Sequence, residues 1–196
     1  MKVLITGGTG FLGCHLSRLL LKQKYEVILY DLSPLDAKDL QKKVTVIAGD
    51  IRDTEKLTKA LQGVNYVVHA AAALPILRNK EAIYSVNIDG TKSVLEASRK
   101  QKVKRVVFIS STAVYGVPKH LPEQETAPID PIGYYGESKV AGEHLCLEYD
   151  TKGLSCNIIR PKTFLGPERL GVFQLWFEAI YTSKPIFLLG NGKQEF

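Results

Sequence analysis

The chain is poor in cysteine: three of its 196 residues are Cys, and they stand far apart at Cys14, Cys146 and Cys156. An odd number without close spacing is not the pattern of a disulfide-built secreted fold or of a metal site. We therefore expect reduced thiols in a cytoplasmic protein that holds no metal.

The sequence also lacks an apolar run long enough to cross a bilayer, and its first residues lack the layout of a signal peptide. A membrane protein is not expected. Negative charge is the scarcer sign, with 20 Asp and Glu against 26 Lys and Arg. The densest basic stretch, Arg99–Arg105, has no interleaved aromatic residues, so we interpret it as a solvated helix end and expect no nucleic-acid partner. A basic surface can also attract an anionic substrate.

Apolar runs of strand length alternate with helical patterns along the chain. This alternation predicts an α/β fold, a doubly wound parallel sheet of the Rossmann type. The predicted strands are Val3–Ile5, Glu26–Tyr30, Val44–Ala48, Tyr66–His69, Arg105–Ile109, Ser155–Ile159 and Ile186–Leu188. The predicted helices cover 11–22, 54–62, 80–100, 134–150 and 170–182.

The first predicted strand leads into a helix through a glycine-rich stretch, Thr6–Gly13. Gly7 permits a tight turn, Gly10 lacks the Cβ that would exclude a phosphate, and Gly13 lets the helix lie close to the strand. The N–H groups and dipole of a helix N-terminus favour an anion. Between a strand and a helix, this pattern favours a dinucleotide site over an ordinary glycine-rich turn.

Two further features stand at predicted strand ends. Asp31 closes the second strand, where a carboxylate accepts the ribose hydroxyls of NAD and repels the extra phosphate of NADP. A carboxylate that merely caps a turn is the alternative. The run Ala70, Ala71 and Ala72 follows the fourth strand and leaves room for a flat ligand at the sheet edge where such folds bind ligands. NAD is therefore the expected cofactor.

Hydroxyl and amine groups suited to acid–base chemistry come later in the chain. Tyr135 and Lys139 stand four apart at the head of a helix and share one face. Ser111 ends a predicted strand, and Asn87 lies on a helix. The interval 117–133 has four prolines and no periodicity. We interpret it as a binding segment or lid rather than a plain connection.

Taken in order, these segments resemble the extended short-chain dehydrogenase/reductase family, the NAD-dependent epimerase/dehydratase group that includes UDP-glucose 4-epimerase. The segments that carry the resemblance are Thr6–Gly13, Asp31, Asp50–Ile51, His69–Ala72, Val86–Thr91, Ser110–Gly116, and Tyr135 with Lys139.

The resemblance implies catalytic roles for three residues. Tyr135 would be the acid/base, Lys139 would lower its pKa and hold the nicotinamide ribose, and Ser111 would hydrogen-bond the reacting hydroxyl or carbonyl. The implied cofactor-binding residues are Gly7, Gly10, Phe11, Leu12, Gly13, Asp31, Asp50, Ile51, Ala70, Ala71, Ala72, Asn87, Tyr135 and Lys139. Ionising a tyrosine near neutrality needs a pKa shift of about three units, or about 4 kcal/mol, which the Lys139 ammonium and a positive nicotinamide ring are expected to supply.

The chain departs from parts of the family pattern. Thr112 and Ala113 stand where dehydratases of the family carry an acidic pair, so sugar dehydration is disfavoured. Thr163 stands where many sugar-nucleotide enzymes have Asn. We expect Thr112 and Thr163 to bind substrate.

The resemblance assigns residues 1–160 to an NAD-binding Rossmann domain and 161–196 to an incomplete C-terminal substrate lobe, in an apparently truncated chain. An incomplete lobe would expose apolar side chains near Trp176, so a homodimer is expected.

The predicted function is an NAD-dependent epimerase or oxidoreductase that acts on a nucleotide-sugar through a keto intermediate. One alternative is a carbonyl or hydroxysteroid-type reductase of the same family, which usually uses NADP. The other is a non-catalytic dinucleotide-binding regulator, although such proteins tend to lose the Tyr135 and Lys139 pair.

Overall fold

A computed structural model describes residues 1–74, 79–118, 120–167, 169 and 173–186. Within these ranges the strands are β1 (Lys2–Thr6), β2 (Glu26–Asp31), β3 (Thr45–Ala48), β4 (Tyr66–His69), β5 (Arg105–Ile109) and β6 (Cys156–Ile159). The α-helices are α1 (Phe11–Lys22), α2 (Thr54–Ala60), α3 (Lys80–Tyr84), α4 (Gly90–Lys100), α5 (Gly133–Thr151) and α6 (Phe173–Tyr181).

The six strands form one parallel sheet in the order β3-β2-β1-β4-β5-β6. This is the doubly wound Rossmann order, which confirms the predicted fold class. The chain runs from the central β1 to one edge and then returns to β4 on the other side of β1. Thr6 at the end of β1 therefore pairs with both Tyr30 and His69. Ligands of such sheets bind at this switch point, outside the carboxyl ends of the strands.

Side chains of β1 are buried on both faces of the sheet, as expected of a central parallel strand. Leu4 belongs to an apolar cluster that reaches Leu57 on α2 and Cys146 on α5. Ile5 belongs to a second cluster, against which Leu16 of α1 packs. Helices thus cover both faces of the sheet, and the carboxyl edge stays available for ligands.

The predicted helix over 80–100 is wrong in one respect, because the structure divides it. α3 ends at Tyr84, a π-helical turn covers Ser85–Asp89, and α4 begins at Gly90. The wider turn contains Asn87, whose buried side chain forms two hydrogen bonds with the backbone of Ala73. Single π turns of this kind are frequent at functional sites.

The chain divides into two compact units, Met1–Lys162 and Thr163–Phe196. All six strands lie in the first unit. The second contains α6, with Leu175 71% and Phe177 55% exposed. The assignment of 1–160 and 161–196 to a coenzyme domain and a substrate lobe stays a prediction.

Three further expectations concern the last predicted strand, the cysteines and membrane-spanning helices. Ile186–Leu188, predicted as a strand, extends outside the described residues. Cys14, Cys146 and Cys156, all of them described, form no disulfide. Of the helices that the structure describes, none combines the length and apolar character that a membrane span requires.

Candidate active site

The glycine-rich turn after β1 has the geometry that a phosphate cradle requires. Gly7 has φ +66°, and a Cβ there would lie 2.8 Å from the Ala71 backbone. A Cβ at Gly13 would lie 2.3 Å from the Gly8 carbonyl oxygen, so α1 can pack against the turn only with glycine at this position. At Gly10, by contrast, a Cβ would meet only the Gly7 carbonyl oxygen, at 3.3 Å. The space beside Gly10 is thus open.

The helix that follows this turn begins without a side-chain cap. Gly10 is the N-cap of α1 and, having no side chain, does not cap the N–H groups of the first turn. Phe11 and Leu12 stand in this first turn. A helix start of this kind offers N–H groups and a partial positive charge to an anion. The turn therefore fits the diphosphate of a dinucleotide.

Asp31 lies beside the same turn, at the end of β2. One carboxylate oxygen accepts a hydrogen bond from Thr9 N at 3.1 Å, and the other accepts from Ser33 N at 3.1 Å. The carboxylate thus caps a turn, as in the alternative interpretation, and also lies next to the glycine-rich loop. Gly8, which the sequence analysis did not single out, is required here because its Cβ would lie 2.8 Å from Leu29 Cβ.

Asp50 and Ile51 differ in what they offer to a ligand. The Asp50 carboxylate pairs with Arg52 at 2.5 Å, and this hydrogen-bonded guanidinium lowers the pKa of Asp50. Ile51 is 6% exposed, and its Cδ1 lies 2.5 Å from where a Gly90 Cβ would stand. The Ile51 side chain therefore packs in the core. Its backbone, and not its side chain, would be available to contact an adenine.

A chain of buried hydrogen bonds joins the alanine segment to the glycine-rich turn. Ala71 N donates to Thr6 Oγ1 at 3.3 Å, and Thr6 Oγ1 lies 2.7 Å from His69 Nδ1. His69 Nε2 lies 2.9 Å from Thr91 Oγ1, which donates to the Asn87 carbonyl oxygen at 2.6 Å. These donors are satisfied together when His69 is neutral with its proton on Nε2.

Burial is the main reason that this histidine stays neutral. It lowers the pKa of His69 to about 3, with a smaller contribution from the charge of Lys139. The sequence analysis placed His69 in the family pattern but did not find this network. Its hydrogen-bonded partners lie up to 65 positions apart, and the pairing of β1 with β4 brings Thr6 and His69 together.

Asn87 connects the alanine segment to helix α5. Its amide makes two hydrogen bonds to the Ala73 backbone, at 2.7 and 3.0 Å. The same amide donates to Ser138 Oγ at 2.9 Å, and Ser138 donates to the Tyr135 carbonyl oxygen at 2.7 Å. Ala70 donates its own N–H to the Thr6 carbonyl, so both ends of this segment are held. Asn87 thus supports the first turn of α5.

The structure brings Ser111, Tyr135 and Lys139 together at the carboxyl end of β5. The side chain of Ser111 lies near that of Tyr135 and acts to lower the pKa of the phenol. Lys139 is 3% exposed and donates from Nζ to the Ile109 carbonyl oxygen at 2.8 Å. The same Nζ lies 5.8 Å from the centroid of the Tyr135 ring. The Tyr135 ring therefore lies close to a buried ammonium group.

The electrostatics of this group differ from the sequence expectation in one respect. Burial raises the pKa of Tyr135 above its usual value, and the hydrogen bond from Ser111 only partly offsets this. Burial also lowers the pKa of Lys139 to about 8. The lowered Tyr135 pKa is therefore not found in the protein alone, because desolvation outweighs the effect of Ser111.

Two glycines explain how α5 comes so close to the strand. A Cβ at Gly136 would lie 2.8 Å from the Ala113 carbonyl oxygen, and one at Gly142 would lie 2.6 Å from the Phe108 ring. The turn Thr112–Tyr115 follows Ser111, whose Oγ caps it by accepting from Ala113 N at 3.1 Å. The glycines, which the sequence analysis passed over, are thus what allows Tyr135 to reach Ser111.

The two predicted substrate residues belong to different compact units of the chain. Thr112 opens the turn after β5, and its N–H donates to the Pro161 carbonyl oxygen at 3.0 Å. Thr163 belongs to the second compact unit. Among the described residues, no group of three or more acidic, His or Cys side chains could hold a metal ion.

Comparison with known proteins decides the family. The model of the NAD dependent epimerase/dehydratase family matches residues 3–196. The chain belongs to this family. NAD, the cofactor expected from Asp31, is the coenzyme of the NAD-dependent epimerase/dehydratases.

Individual relatives agree with this assignment. A putative UDP-glucose 4-epimerase of Methanocaldococcus jannaschii is 32% identical over 98% of this chain and 67% of its own length. Mouse sterol-4-alpha-carboxylate 3-dehydrogenase, decarboxylating, is 34% identical over 98% of this chain and 54% of its own length. The crystal structure of UDP-glucuronic acid 4-epimerase from Bacillus cereus with NAD has a TM-score of 0.87 at 30% identity, and covers 99% of this chain and 68% of that chain. The chain thus spans about half to two thirds of the length of such relatives.

Proposed function

We propose that this chain forms the coenzyme-binding and catalytic part of an NAD-dependent epimerase or oxidoreductase that acts on a nucleotide-sugar. Tyr135 is the acid/base, Lys139 is its charged support, and Ser111 is the hydrogen-bonding partner of the reacting oxygen. The sugar passes through a keto form. The single observation that carries the proposal is the placement of Tyr135 beside Ser111 and the buried Lys139, whose Nζ lies 5.8 Å from the centroid of the Tyr135 ring.

The residues at the sheet edge are suited to hold NAD. The open space at Gly10 and the start of α1 would receive the diphosphate, and Asp31 would accept the ribose hydroxyls. Ala70, Ala71, Ala72 and the backbone at Asp50 would line the rest of the dinucleotide. Bound NAD supplies the hydride acceptor of the reaction.

The acid–base work falls to the chain's own side chains. Ser111 holds the oxygen of a substrate hydroxyl, and Tyr135 accepts its proton as the carbonyl forms. Because burial raises the pKa of Tyr135, the phenolate depends on positive charge close by. Lys139 supplies such a charge below its pKa of about 8. In an epimerase Tyr135 later returns the proton, and the configuration of one carbon is inverted.

Nucleotide-sugars are the favoured substrate class because the relatives named above include two 4-epimerases of UDP-linked sugars. The absence of acids at Thr112 and Ala113 favours epimerisation or oxidation over dehydration. Basic residues outnumber acidic ones, 26 to 20, which suits a diphosphate-bearing substrate.

The test is incubation with NAD and a panel of UDP-, GDP- and dTDP-sugars. Sugar identity is read by mass spectrometry and NMR, and NADH by absorbance. We expect a change of sugar configuration without accumulation of NADH for an epimerase, and NADH accumulation for a dehydrogenase. No affinity for either nicotinamide coenzyme in calorimetry would overturn the proposal. Tight NAD binding without turnover of any compound tested would favour the regulator alternative.

A second candidate function is oxidation of a sterol hydroxyl. It is favoured by the sterol-4-alpha-carboxylate 3-dehydrogenases of mouse and human, both 34% identical to this chain. The same Ser111, Tyr135 and Lys139 would serve. Adding a 3-hydroxysterol that bears a 4-carboxylate to the panel separates the two: NADH formation with the sterol alone would replace the sugar assignment.

A further inference from the structure

A buried ion pair lies directly behind the proposed catalytic residues. Glu143 stands on α5, one turn after Lys139, and is 2% exposed. Its carboxylate accepts from Arg160 Nε at 2.9 Å and from Arg160 Nη2 at 2.7 Å. Ser110, the neighbour of Ser111, donates its hydroxyl to the same carboxylate at 2.5 Å. Three donors thus fix Glu143 between β5 and the end of β6.

Arg160 also reaches the long loop that precedes α5. Its Nη1 donates to Tyr115 Oη at 2.7 Å and to the Glu125 carbonyl oxygen at 3.2 Å. The guanidinium carbon lies 5.0 Å from the centroid of the Tyr115 ring. Glu125 belongs to the interval 117–133, which the sequence predicts to be a binding segment or lid.

The loop is held at its other end by backbone contacts. Asp130 N donates to the Val114 carbonyl oxygen at 3.0 Å. Gly116 has φ +69°, and a Cβ there would lie 2.1 Å from the Asp130 carbonyl oxygen. Arg160 and this closing contact therefore fix two points of the loop against the turn that follows Ser111.

We propose that Arg160 and Glu143 form a positioning pair, which sets the spacing of Ser111, Tyr135 and Lys139 and holds the loop before α5 in place. This inference rests on the proposed function. Stability alone does not account for the pair, because a buried ion pair is often no more stabilising than an apolar pair of similar volume. The pair instead fixes the relative positions of three parts of the fold. One edge of the Arg160 guanidinium binds the Glu143 carboxylate, and the other edge binds both the Tyr115 hydroxyl and the loop.

The test is the double variant Glu143→Met/Arg160→Met, which removes both charges and leaves neither unpaired. We expect NAD affinity within about threefold of the parent, since the glycine-rich turn is untouched. We expect kcat to fall by about 30-fold or more with KM within about threefold, because misplaced catalytic groups lower turnover more than binding. The matched control is Glu148→Met/Lys152→Met, an exposed ion pair on the same helix, which should leave kcat unchanged.

Amide hydrogen exchange supplies a readout that does not need a substrate. Exchange in the peptide covering 120–131 should become about tenfold faster in the Glu143→Met/Arg160→Met variant, while β1 keeps its parental rate. Equal acceleration in both segments, or unchanged exchange with unchanged kcat, would overturn the proposal. If no panel compound is turned over by the parent, the proposed function fails, and loop exchange still decides whether the pair holds the loop.

Tyr115→Phe covers the case in which the double variant does not fold. It removes one hydroxyl, and with it the hydrogen bond from Arg160 at 2.7 Å and the longer one that the hydroxyl donates to the Glu125 carbonyl oxygen at 3.5 Å. We expect loop exchange about threefold faster with cooperative unfolding retained. Parental exchange in Tyr115→Phe would contradict the role of this contact.

Discussion

At the residue scale, local sequence patterns predict those candidate site residues whose partners lie close to them along the chain. Tyr135 and Lys139 share one helix face, and Gly7, Gly10 and Gly13 lie within a single turn. Their placement follows from local geometry, so the sequence could predict that they meet. Their function as coenzyme and catalytic residues stays a prediction.

Residues whose partners lie far away could not be found in this way. Thr6 and His69 are 63 positions apart and meet only because β1 pairs with β4. Gly136 has a close neighbour in Ala113, 23 positions earlier, and nothing in the local sequence specifies that approach. Packing between elements, and not local pattern, determines this part of the site.

Replacement of Tyr135 by Phe should remove the proposed acid/base hydroxyl and leave the aromatic ring in place. We expect kcat to fall by about a thousandfold, within the range for loss of general acid–base catalysis, with NAD affinity nearly unchanged. Steady-state kinetics and calorimetry measure the two quantities. Tyr134→Phe is the matched control, because Tyr134 is the neighbouring residue and is 45% exposed. Turnover that survives in Tyr135→Phe would rule out the assigned role.

His69 should make the protein sensitive to acid. Its pKa of about 3 lies below the ordinary value of 6.5, so the unfolded state binds the proton first as pH falls. The resulting stability is complete above pH 6.5 and is lost progressively toward pH 3. Between pH 7 and pH 5 the unfolding free energy should fall by about 2 kcal/mol from this group.

Urea unfolding at the two pH values measures that loss. His69→Gln should lower stability at pH 7, because it breaks the buried network, but should show a smaller decrease between pH 7 and pH 5. His144→Gln, on the exposed side of α5, should keep the parental decrease. An identical pH dependence in the parent and His69→Gln would show that another group is responsible.

At the element scale, the positions of the six described strands and the sheet type followed from sequence, whereas the interruption before α4 did not. The segment 80–100 has continuous helical periodicity, so no local signal marks the π turn Ser85–Asp89. The turn exists because the Asn87 side chain is bound to the Ala73 backbone and to Ser138. The π turn therefore depends on contacts between separate elements, which the local sequence does not specify.

Alanine substitutions at two glycines between β1 and the first turn of α1 should have separate effects, one on protein stability and the other on NAD affinity. Gly13→Ala places a Cβ 2.3 Å from a backbone oxygen, so we expect the unfolding free energy to fall by about 1–3 kcal/mol. Gly10→Ala meets only one atom, at 3.3 Å, and as an N-cap substitution should cost about 0.5 kcal/mol or less. Its methyl group would fill the proposed phosphate space, so NAD affinity should drop by about tenfold or more.

Urea unfolding and calorimetry on the same two variants distinguish these effects. Parental NAD affinity in Gly10→Ala would show that the phosphate does not bind beside this residue. Parental stability in Gly13→Ala would show that α1 can move away from the turn without cost.

At the scale of the whole molecule, the two compact units differ in how much they bury. Both apolar clusters of the sheet lie in Met1–Lys162. In the second unit, none of the nine residues of α6, all of them described, is buried. Isolated helices shorter than about 12 residues are marginal in water. We therefore expect α6 to unfold before the sheet does.

The chain has a single tryptophan, Trp176, and it lies on α6. Its fluorescence consequently reports on α6, whereas far-UV circular dichroism is dominated by the first unit. During urea unfolding the fluorescence midpoint should precede the dichroism midpoint, as expected when two parts do not unfold as one.

Saturating NAD, at about 100 times its Kd, should stabilise the dichroism transition by about 2.7 kcal/mol. It should leave the fluorescence transition in place, because the proposed binding residues all lie in Met1–Lys162. Coincident transitions that both move with NAD would show instead that α6 and the sheet unfold cooperatively. Trp176→Phe should leave the dichroism midpoint unchanged, which tests that the probe itself does not stabilise the first unit.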